Sequence, residues 1–285
     1  KNATVDHMKK LQNDRYSTMA RKVQETLFST HRAAFIQERI DAMKPVHKRN
    51  ANRALHMLHP DRFDCVMEKS SPAAALMGAL YHAFTRAAFL DELGPEDSLH
   101  WEAFIQASMT SYAATDHLLV YRESSVFFDN INTPVMENKY DILAQSLNDA
   151  YTLCRKEMGV DEEKWKWGTL HTYNWQHDIS KKTGLLKGYL DRGPFPAGGD
   201  VHTVNVAGFT WGKNFDVWMI PAMRLIVDFN SKNPMHIITT PGESGHPSSS
   251  HYDDMIPYFL EGRYQVLPLS HDTLDDHYVF THTLT

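Results

Sequence analysis

The sequence is poor in cysteine, has no excess of positive charge and contains no long apolar run. Cys65 and Cys154 are the two cysteines in 285 residues, and their separation excludes a short-spaced zinc knuckle and a disulfide framework. One disulfide and two buried thiols both remain open. The formal net charge of -6 argues against a nucleic-acid surface, because phosphates need basic partners. No apolar run reaches the ~20 residues of a spanning helix, so no membrane partner is expected.

The remaining composition is that of an ordinary globular chain. Hydrophobic residues make up 42% and charged residues 22% of the sequence, enough for a sizeable core in one or two domains. No secretory signal is visible at the first residues. The chain starts at Lys1 without methionine and enters a helical pattern at once, so we expect it to begin inside a longer protein.

The first 165 residues predict a mainly helical region. Thr4 is the expected N-cap of the first helix, and apolar residues at helical spacing then continue to Pro45, with a break near Ser29 and Thr30. Residues 46–59 are also expected to be helical. Three further helices are predicted from Ser71 to Gly94, over residues 96–119, and from Thr133 or Pro134 to Gly159.

Residues 166–285 predict a strand-rich region, so the fold class is α+β with a helical part followed by strands. Short apolar runs separated by glycine and proline are expected to form strands over 201–206, 215–220, 223–229 and 237–240. The run at Leu225-Ile226-Val227 favours a central strand that is buried on both faces. We therefore predict one boundary between regions, which separates residues 1–165 from residues 166–285, where the helical pattern gives way to strand patterns.

The densest local signals lie between Thr240 and Leu269. Pro241, Gly242 and Gly245 favour a turn-rich backbone. Ser250 is the expected cap of a short helix that Pro257 kinks, and Gly262 ends that helix. Glu243 lies in the turn, where its carboxylate could reach a neighbouring chain or a substrate amine.

Several motifs together resemble the penicillin acylase family, the amide hydrolases with an N-terminal nucleophile. They are PGESGHPSSSHYDD at 241–254, FLEGRY at 259–264, WKWGTLH at 165–171, GGDVHTVNV at 198–206 and AMRLIVDF at 222–229. The departures are mild: Glu243 stands where glutamine is common, and Ser250 where proline often precedes the histidine. The resemblance covers most of the chain and is strongest from 165 to 269.

The resemblance implies the C-terminal part of the large (beta) chain of such an enzyme, contributing to an αββα sandwich. In this family a Ser, Thr or Cys at the start of the large chain attacks a linear amide, and its own α-amine is the base. Residue 1 is lysine, so the nucleophile is expected outside this chain. No catalytic, cofactor-binding or metal residue is therefore assigned here, and calcium is left open for the full-length protein.

The same resemblance implies partners and a location. The expected partners are the missing N-terminal part of the large chain, a small (alpha) chain and a small-molecule amide substrate. A periplasmic or secreted location is implied as well. The chain alone is expected to be inactive. A non-catalytic interaction module, which binds a partner through an exposed sheet edge, is the alternative of a different class.

A complete serine hydrolase is a weaker alternative. Ser244 lies in a sequence that resembles a nucleophile elbow, and a triad could be completed from Asp253, Asp254, His271 and His277. The elbow requires glycine two residues after the serine, and His246 stands there. The largely helical first part also lacks the alternating strands and helices of that fold.

Metal binding and an aromatic acyl pocket are minor alternatives. Seventeen histidines are many, but none forms the HExxH arrangement that places two imidazoles on one helix face. The C-terminal candidates are His246, His251, His271, His277, His282, Asp253, Asp254, Asp272, Asp275 and Asp276. The aromatic cluster of Trp165, Trp167, Tyr173 and Trp175 could line an acyl pocket, but a place in the core or at a domain boundary is the favoured expectation. Structural roles are expected for Asn205, Arg224, His251 and Tyr252.

Overall fold

The structure is a computed structural model that describes residues 3–267. The chain forms two compact units, each assembled from separated segments. The large unit contains residues 15–174 and 193–220, and the small unit contains residues 3–14, 175–192 and 221–267 of the described chain.

The large unit is built mainly from helices. The first helix of the chain, α1 (Val5–Gln12), belongs to the small unit. The helices of the large unit are α2 (Thr18–Phe28), α3 (Thr30–Ala42), α4 (Pro45–Leu58), α5 (Pro72–Leu93), α6 (Leu99–Gln106), α7 (Ser108–Asp116), α8 (Lys139–Met158) and α9 (Trp167–Leu170). The break at Ser29 between α2 and α3 confirms the prediction. The helical pattern ends before Pro45 as predicted, since α3 ends at Ala42. Pro45 itself lies in the first turn of α4, a position where proline is well tolerated.

Helix α5 is the centre of the large unit. The Ser71 side chain accepts a hydrogen bond from the Ala74 amide at 3.2 Å, and Gly94 follows the last turn at φ 88°, so both predicted ends are confirmed. The helix is buried on nearly every side, as expected for one that is apolar all round. It packs against α8 and α4, and its small residues allow the close approach.

Two helix predictions are wrong in their boundaries. The expected helix over 96–119 is broken at Ala107 into α6 and α7, and a π-helical turn follows. Around the break Ser108 and Ser111 hydroxyls donate to backbone carbonyls, which competes with a regular helix. Helix α8 starts at Lys139 rather than at Thr133 or Pro134, because Asn138 and Asp141 form a capping box there.

A small sheet belongs to the large unit, apart from the strand-end residues Trp175 and Arg192, which are assigned to the small unit. Its strands are β1 (Thr172–Trp175), β2 (Arg192–Pro196), β3 (Gly208–Phe209) and β4 (Val217–Met219), in the order β2-β1-β4-β3. The strand expected over 201–206 is wrong, since these residues form turns. The Thr203 hydroxyl accepts from the Asp200 amide and donates to the Asn205 carbonyl at 2.8 Å, which folds the segment back on itself.

The small unit contains a three-stranded antiparallel sheet and short helices. Its elements are α1 (Val5–Gln12), α10 (Asp178–Thr183), α11 (Lys187–Leu190), β5 (Met223–Val227), β6 (Met235–Thr239), α12 (Ile256–Glu261) and β7 (Gln265–Leu267). The strand order is β5-β6-β7. The Thr4 cap of α1 and the Gly262 end of α12 are confirmed. Ser250 does not cap α12, which starts six residues later with Pro257 in its first turn.

The prediction of a central strand buried on both faces is wrong for β5. This strand forms one edge of its sheet and alternates between exposed and buried side chains. Arg224 and Ile226 are buried, whereas Met223, Leu225 and Val227 are exposed on the opposite face. The run Leu225-Ile226-Val227 is therefore continuous because apolar residues occur on both the buried and the exposed face of β5, not because both faces are buried.

The observed class is a mixture of helix and sheet, which agrees with α+β. All seven strands among residues 3–267 follow residue 171, and eight of the twelve α-helices precede residue 165. The αββα sandwich and the boundary near residue 165 stay predictions. In the described part of the chain, no helix is long and apolar enough to cross a bilayer.

Candidate functional site

The loop between β6 and α12, which carries the PGESG motif, folds back on itself. The Ser244 amide donates to the His251 carbonyl at 2.9 Å, and the Met255 amide donates to the Pro241 carbonyl at 3.1 Å. A Cβ atom on Gly242 would lie 2.4 Å from the His251 carbonyl oxygen. The close backbone approach therefore requires glycine at position 242.

Side chains tie this loop to the rest of the small unit. The Tyr252 hydroxyl donates to the Leu190 carbonyl, and Arg192 pairs with Asp253. The Arg192 guanidinium also lies 4.8 Å from the centre of the Tyr252 ring. His251 Nδ1 lies 2.8 Å from the carboxylate of Asp254. These contacts agree with the structural role expected for His251 and Tyr252.

Replacing Gly242 by alanine tests whether the loop geometry matters. Because the new methyl group would collide with backbone rather than with a flexible side chain, we expect the loop to open and the protein to lose about 1–3 kcal/mol of stability. Chemical denaturation measures this loss. Gly245 is the matched control, since nothing lies within 4 Å of its Cβ position, and Gly245→Ala should be close to neutral.

The structure gives Ser244 no catalytic arrangement among residues 3–267. Its hydroxyl accepts a hydrogen bond from the His246 backbone amide at 3.1 Å, and the His246 ring accepts one from the Ser248 amide. In the described chain, the side chains of the His251–Asp254 pair have no hydrogen bond to the Ser244 hydroxyl. His271 and His277, the other triad candidates, lie outside the described residues. Glu243 is exposed and accepts from Thr239 at 2.8 Å, so its reach towards another molecule stays a prediction.

A buried polar network in the large unit surrounds the GGD motif. Asp200 is fully buried; its carboxylate accepts from the Ser17 hydroxyl and the His202 amide, both at 2.7 Å. Burial raises the pKa of Asp200. His202 lies 3.1 Å from Asp116. Burial alone would lower the pKa of His202, but the carboxylates of Asp116 and Asp200 together outweigh it, so the pKa is raised.

The tryptophan motif joins that network to the core. Trp167 is fully buried and donates from Nε1 to the Gly199 carbonyl at 2.9 Å. Its ring stacks on His171 with 4.3 Å between centroids. His171 Nδ1 lies 2.7 Å from the Phe215 carbonyl. Trp165 is also fully buried, so these tryptophans lie in the core and do not line an open acyl pocket.

The buried His171 predicts a loss of stability in acid. Burial lowers its pKa to about 4 from an ordinary 6.5. The unfolded chain therefore binds the extra proton between these values, and stability is present above pH 6.5 and lost as pH falls towards 4. Between pH 6.5 and pH 4, the free energy of unfolding of the wild type should fall by about 3 kcal/mol more than that of His171→Gln. Urea unfolding of both proteins at the two pH values measures this difference. An exposed histidine, His31, supplies the control variant His31→Gln.

The remaining sequence candidates also have structural positions. Cys65 and Cys154 are free and buried, which decides between the two states left open. Asn205 and Arg224 are buried, and Arg224 donates to the Asn13 side chain at 3.2 Å. Within residues 3–267, no three His, Cys, Asp or Glu side chains are arranged to hold a metal ion.

The clearest cavity was not predicted from the sequence. It has a volume of about 730 Å³ and lies in the large unit among α3, α5, α8 and the loop before α8. Its wall includes His82 and Arg86 of α5 and Asp149 of α8. The available signal was the presence of His82, Thr85 and Arg86 in a helix that is otherwise mostly apolar before its last turn.

Comparison with known proteins identifies the family. The penicillin amidase family matches residues 1–276, so the chain belongs to that family. It is 42% identical to the acyl-homoserine lactone acylase QuiP of Pseudomonas aeruginosa over 96% of its own length. Proteins of the same name from Pseudomonas syringae and Pseudomonas putida are each 36% identical, over 94% and 91% of the chain.

These matches cover only part of each relative. The chain spans 34% of the Pseudomonas aeruginosa protein, and 32% and 31% of the other two. The chain thus spans about a third of the length of these relatives. The family resemblance inferred from the motifs is confirmed.

Proposed function

We propose that this chain is the C-terminal part of the large chain of an amide hydrolase that cleaves N-acyl homoserine lactones. Water is added across the linear amide, which releases the fatty acid and the homoserine lactone amine. The observation that carries the proposal is the 42% identity to an acyl-homoserine lactone acylase over 96% of the chain. A penicillin side-chain amide is the second substrate class, and it is supported by the family alone.

The catalytic nucleophile of this proposal lies outside the chain. It is a Ser, Thr or Cys at the start of the mature large chain, with its own α-amine as general base. An oxyanion hole in the same missing part stabilises the tetrahedral intermediate. The role of the described residues is then to form a scaffold, which agrees with their structural hydrogen bonds and buried tryptophans.

The scaffold role explains two apolar surfaces that are exposed in the part of the chain that the structure describes. In the small unit, Met223, Leu225 and Val227 expose one face of the sheet. In the large unit, Ile131, Val135 and Met136 project from the loop before α8. Exposed apolar patches mark interaction surfaces. We propose that the missing part of the large chain and a small chain cover them, and that the complete protein forms the αββα sandwich.

The same proposal extends to location and metal. The full-length protein is placed in the periplasm or outside the cell, and any calcium is held by residues outside this chain.

Mass spectrometry of the reaction products tests the proposed activity. The full-length protein should convert N-octanoyl homoserine lactone to octanoic acid and homoserine lactone, whereas the 285-residue chain alone should leave it intact. Opening of the lactone ring without release of the acyl chain would contradict amide hydrolysis. Turnover by the chain alone would place the nucleophile within it and would revive the Ser244 alternative.

The second candidate is a non-catalytic interaction module. The open sheet face at Leu225 favours it, because that face is available to a partner. Both candidates place a partner on this face, so amidase activity distinguishes them: a module should form a stable complex in gel filtration while the full-length protein shows no amidase activity. Acylase activity in that protein removes the reason for this alternative.

A further inference from the structure

The GGD segment, residues 198–206, is a loop of the large unit that is fixed at its base. The backbone amides of Gly199 and Ala207, near its two ends, donate to backbone carbonyls at 2.7 Å and 3.1 Å. Between these ends His202 reaches the last residue of helix α7, since its Nε2 atom lies 3.1 Å from the Asp116 carboxylate. The middle of the segment is thus joined to α7 by an ion pair whose basic partner titrates near neutral pH.

Two carboxylates act on the His202 ring. Asp200 is fully buried, and its two oxygen atoms accept hydrogen bonds from the Ser17 hydroxyl and the His202 amide at 2.7 Å each. Acceptance at both oxygens is the pattern of an ionised carboxylate. Asp116 is partly buried, and its Oδ1 atom has no hydrogen-bond partner among the described residues. The charge of the His202 ring therefore compensates two carboxylates that are largely removed from water.

Lys22 of α2 is a second cation near this cluster, but its ammonium group has another partner. The group is exposed and lies 2.5 Å from the Tyr121 hydroxyl, a contact that raises the pKa of Lys22, with Asp116 adding to the shift. Burial and the charge of Lys22 lower the pKa of His202, whereas Asp116 and Asp200 raise it by more. The two carboxylates thus determine the protonation of His202.

Two buried phenols complete the surroundings of Asp200 and stay uncharged. They belong to Tyr81 of α5 and Tyr112 of α7, and both interact electrostatically with Asp200. Burial raises the pKa of Tyr81 well above its ordinary value and that of Tyr112 to about 12. Of the titratable groups in this cluster, His202 is therefore the one whose charge changes between about pH 6 and about pH 9.

From this geometry we infer that His202 is a pH-sensitive latch, which holds the GGD segment to the end of α7 as an imidazolium and releases it when the ring loses its proton in alkaline solution. Because the pKa of His202 is raised above the ordinary 6.5, the stabilisation by the ion pair is complete below pH 6.5. It is lost as the pH rises through the pKa of the folded protein. This inference is independent of the amide-hydrolase proposal.

Hydrogen exchange of the full-length protein, followed by mass spectrometry, tests the latch at about pH 6 and about pH 9. Exchange is expressed as protection relative to the intrinsic rate at each pH. The residue-202 amide, which donates to Asp200, should lose about tenfold in protection at the higher pH, because a charge-assisted contact is gone. The Ala207 amide, at the fixed base, should keep its protection. Equal protection of the residue-202 amide at both pH values, or a parallel loss at Ala207, would overturn the inference.

Variants assign the pH dependence to this pair of side chains. His202→Gln should show at pH 6 the low protection that the wild type reaches at pH 9, with no further change. Asp116→Asn should do the same, and the double variant should add nothing, since the two side chains act together. His31→Gln, at an exposed histidine, is the control and should keep the wild-type pattern. A pH dependence that persists in His202→Gln would belong to another group and would contradict the latch.

Discussion

Trp167→Ala is expected to lower the free energy of unfolding by about 3–5 kcal/mol. The ring is fully buried, stacks on His171 and contacts Phe209 and Phe215 edge-on. Its removal leaves a cavity at the centre of the large unit. It also leaves the Gly199 carbonyl without its donor, next to the GGD motif. The loss should thus exceed that of an ordinary core residue.

Urea denaturation followed by circular dichroism measures this loss. Trp218 is the matched control, because the same ring is half exposed there on β4 and bonds only to the Tyr112 hydroxyl in the described structure. Trp218→Ala should lose roughly 1 kcal/mol or less. Similar losses for both variants would mean that Trp167 does not anchor the core.

Gly78→Ala is expected to destabilise the protein by about 1–3 kcal/mol, although alanine favours helix over glycine. A Cβ atom at this position of α5 would lie 2.4 Å from Trp167 Cη2 and 2.6 Å from Cζ3. The indole is enclosed on all sides and cannot move away without disturbing the core. The steric penalty should therefore outweigh the gain in helix propensity.

A double-mutant cycle separates the two effects. In the Trp167→Ala background the obstructing ring is gone, so Gly78→Ala should become stabilising by about 1 kcal/mol. Gly188→Ala on α11, where no atom lies within 4 Å of the Cβ position, reports the substitution in open space. If Gly78→Ala has the same sign in both backgrounds, the contact between Gly78 and Trp167 does not set its effect.

Local signals in the sequence predicted the elements that local interactions determine. Ser71 and Gly94 bounded α5 correctly because a cap and a positive-φ glycine act within a few residues of the helix end. Gly262 ended α12 for the same reason. The helix over 96–119 was wrong because hydroxyl-to-carbonyl bonds of Ser108 and Ser111, which apolar periodicity does not report, accompany the break at Ala107.

Long-range contacts could not be predicted in the same way. The motif around Asp200 was recognised, but one of its two hydrogen-bond partners, Ser17, lies 183 residues away in the chain and could not be inferred. The other partner, His202, is only two residues away. The cavity at His82 required knowledge of which helix faces meet. The position of β5 at a sheet edge depends on strand order, which alternation of apolar residues does not give.

The measurement that decides whether this chain belongs to an N-terminal-nucleophile amide hydrolase is the intact mass and N-terminal sequence of the native protein from its source cells. We predict a mature chain that contains the stretch Thr240–Leu269, begins upstream with Ser, Thr or Cys, and co-purifies with a second, smaller chain. A native polypeptide that begins at or near Lys1 and has no partner chain would contradict the proposed mechanism.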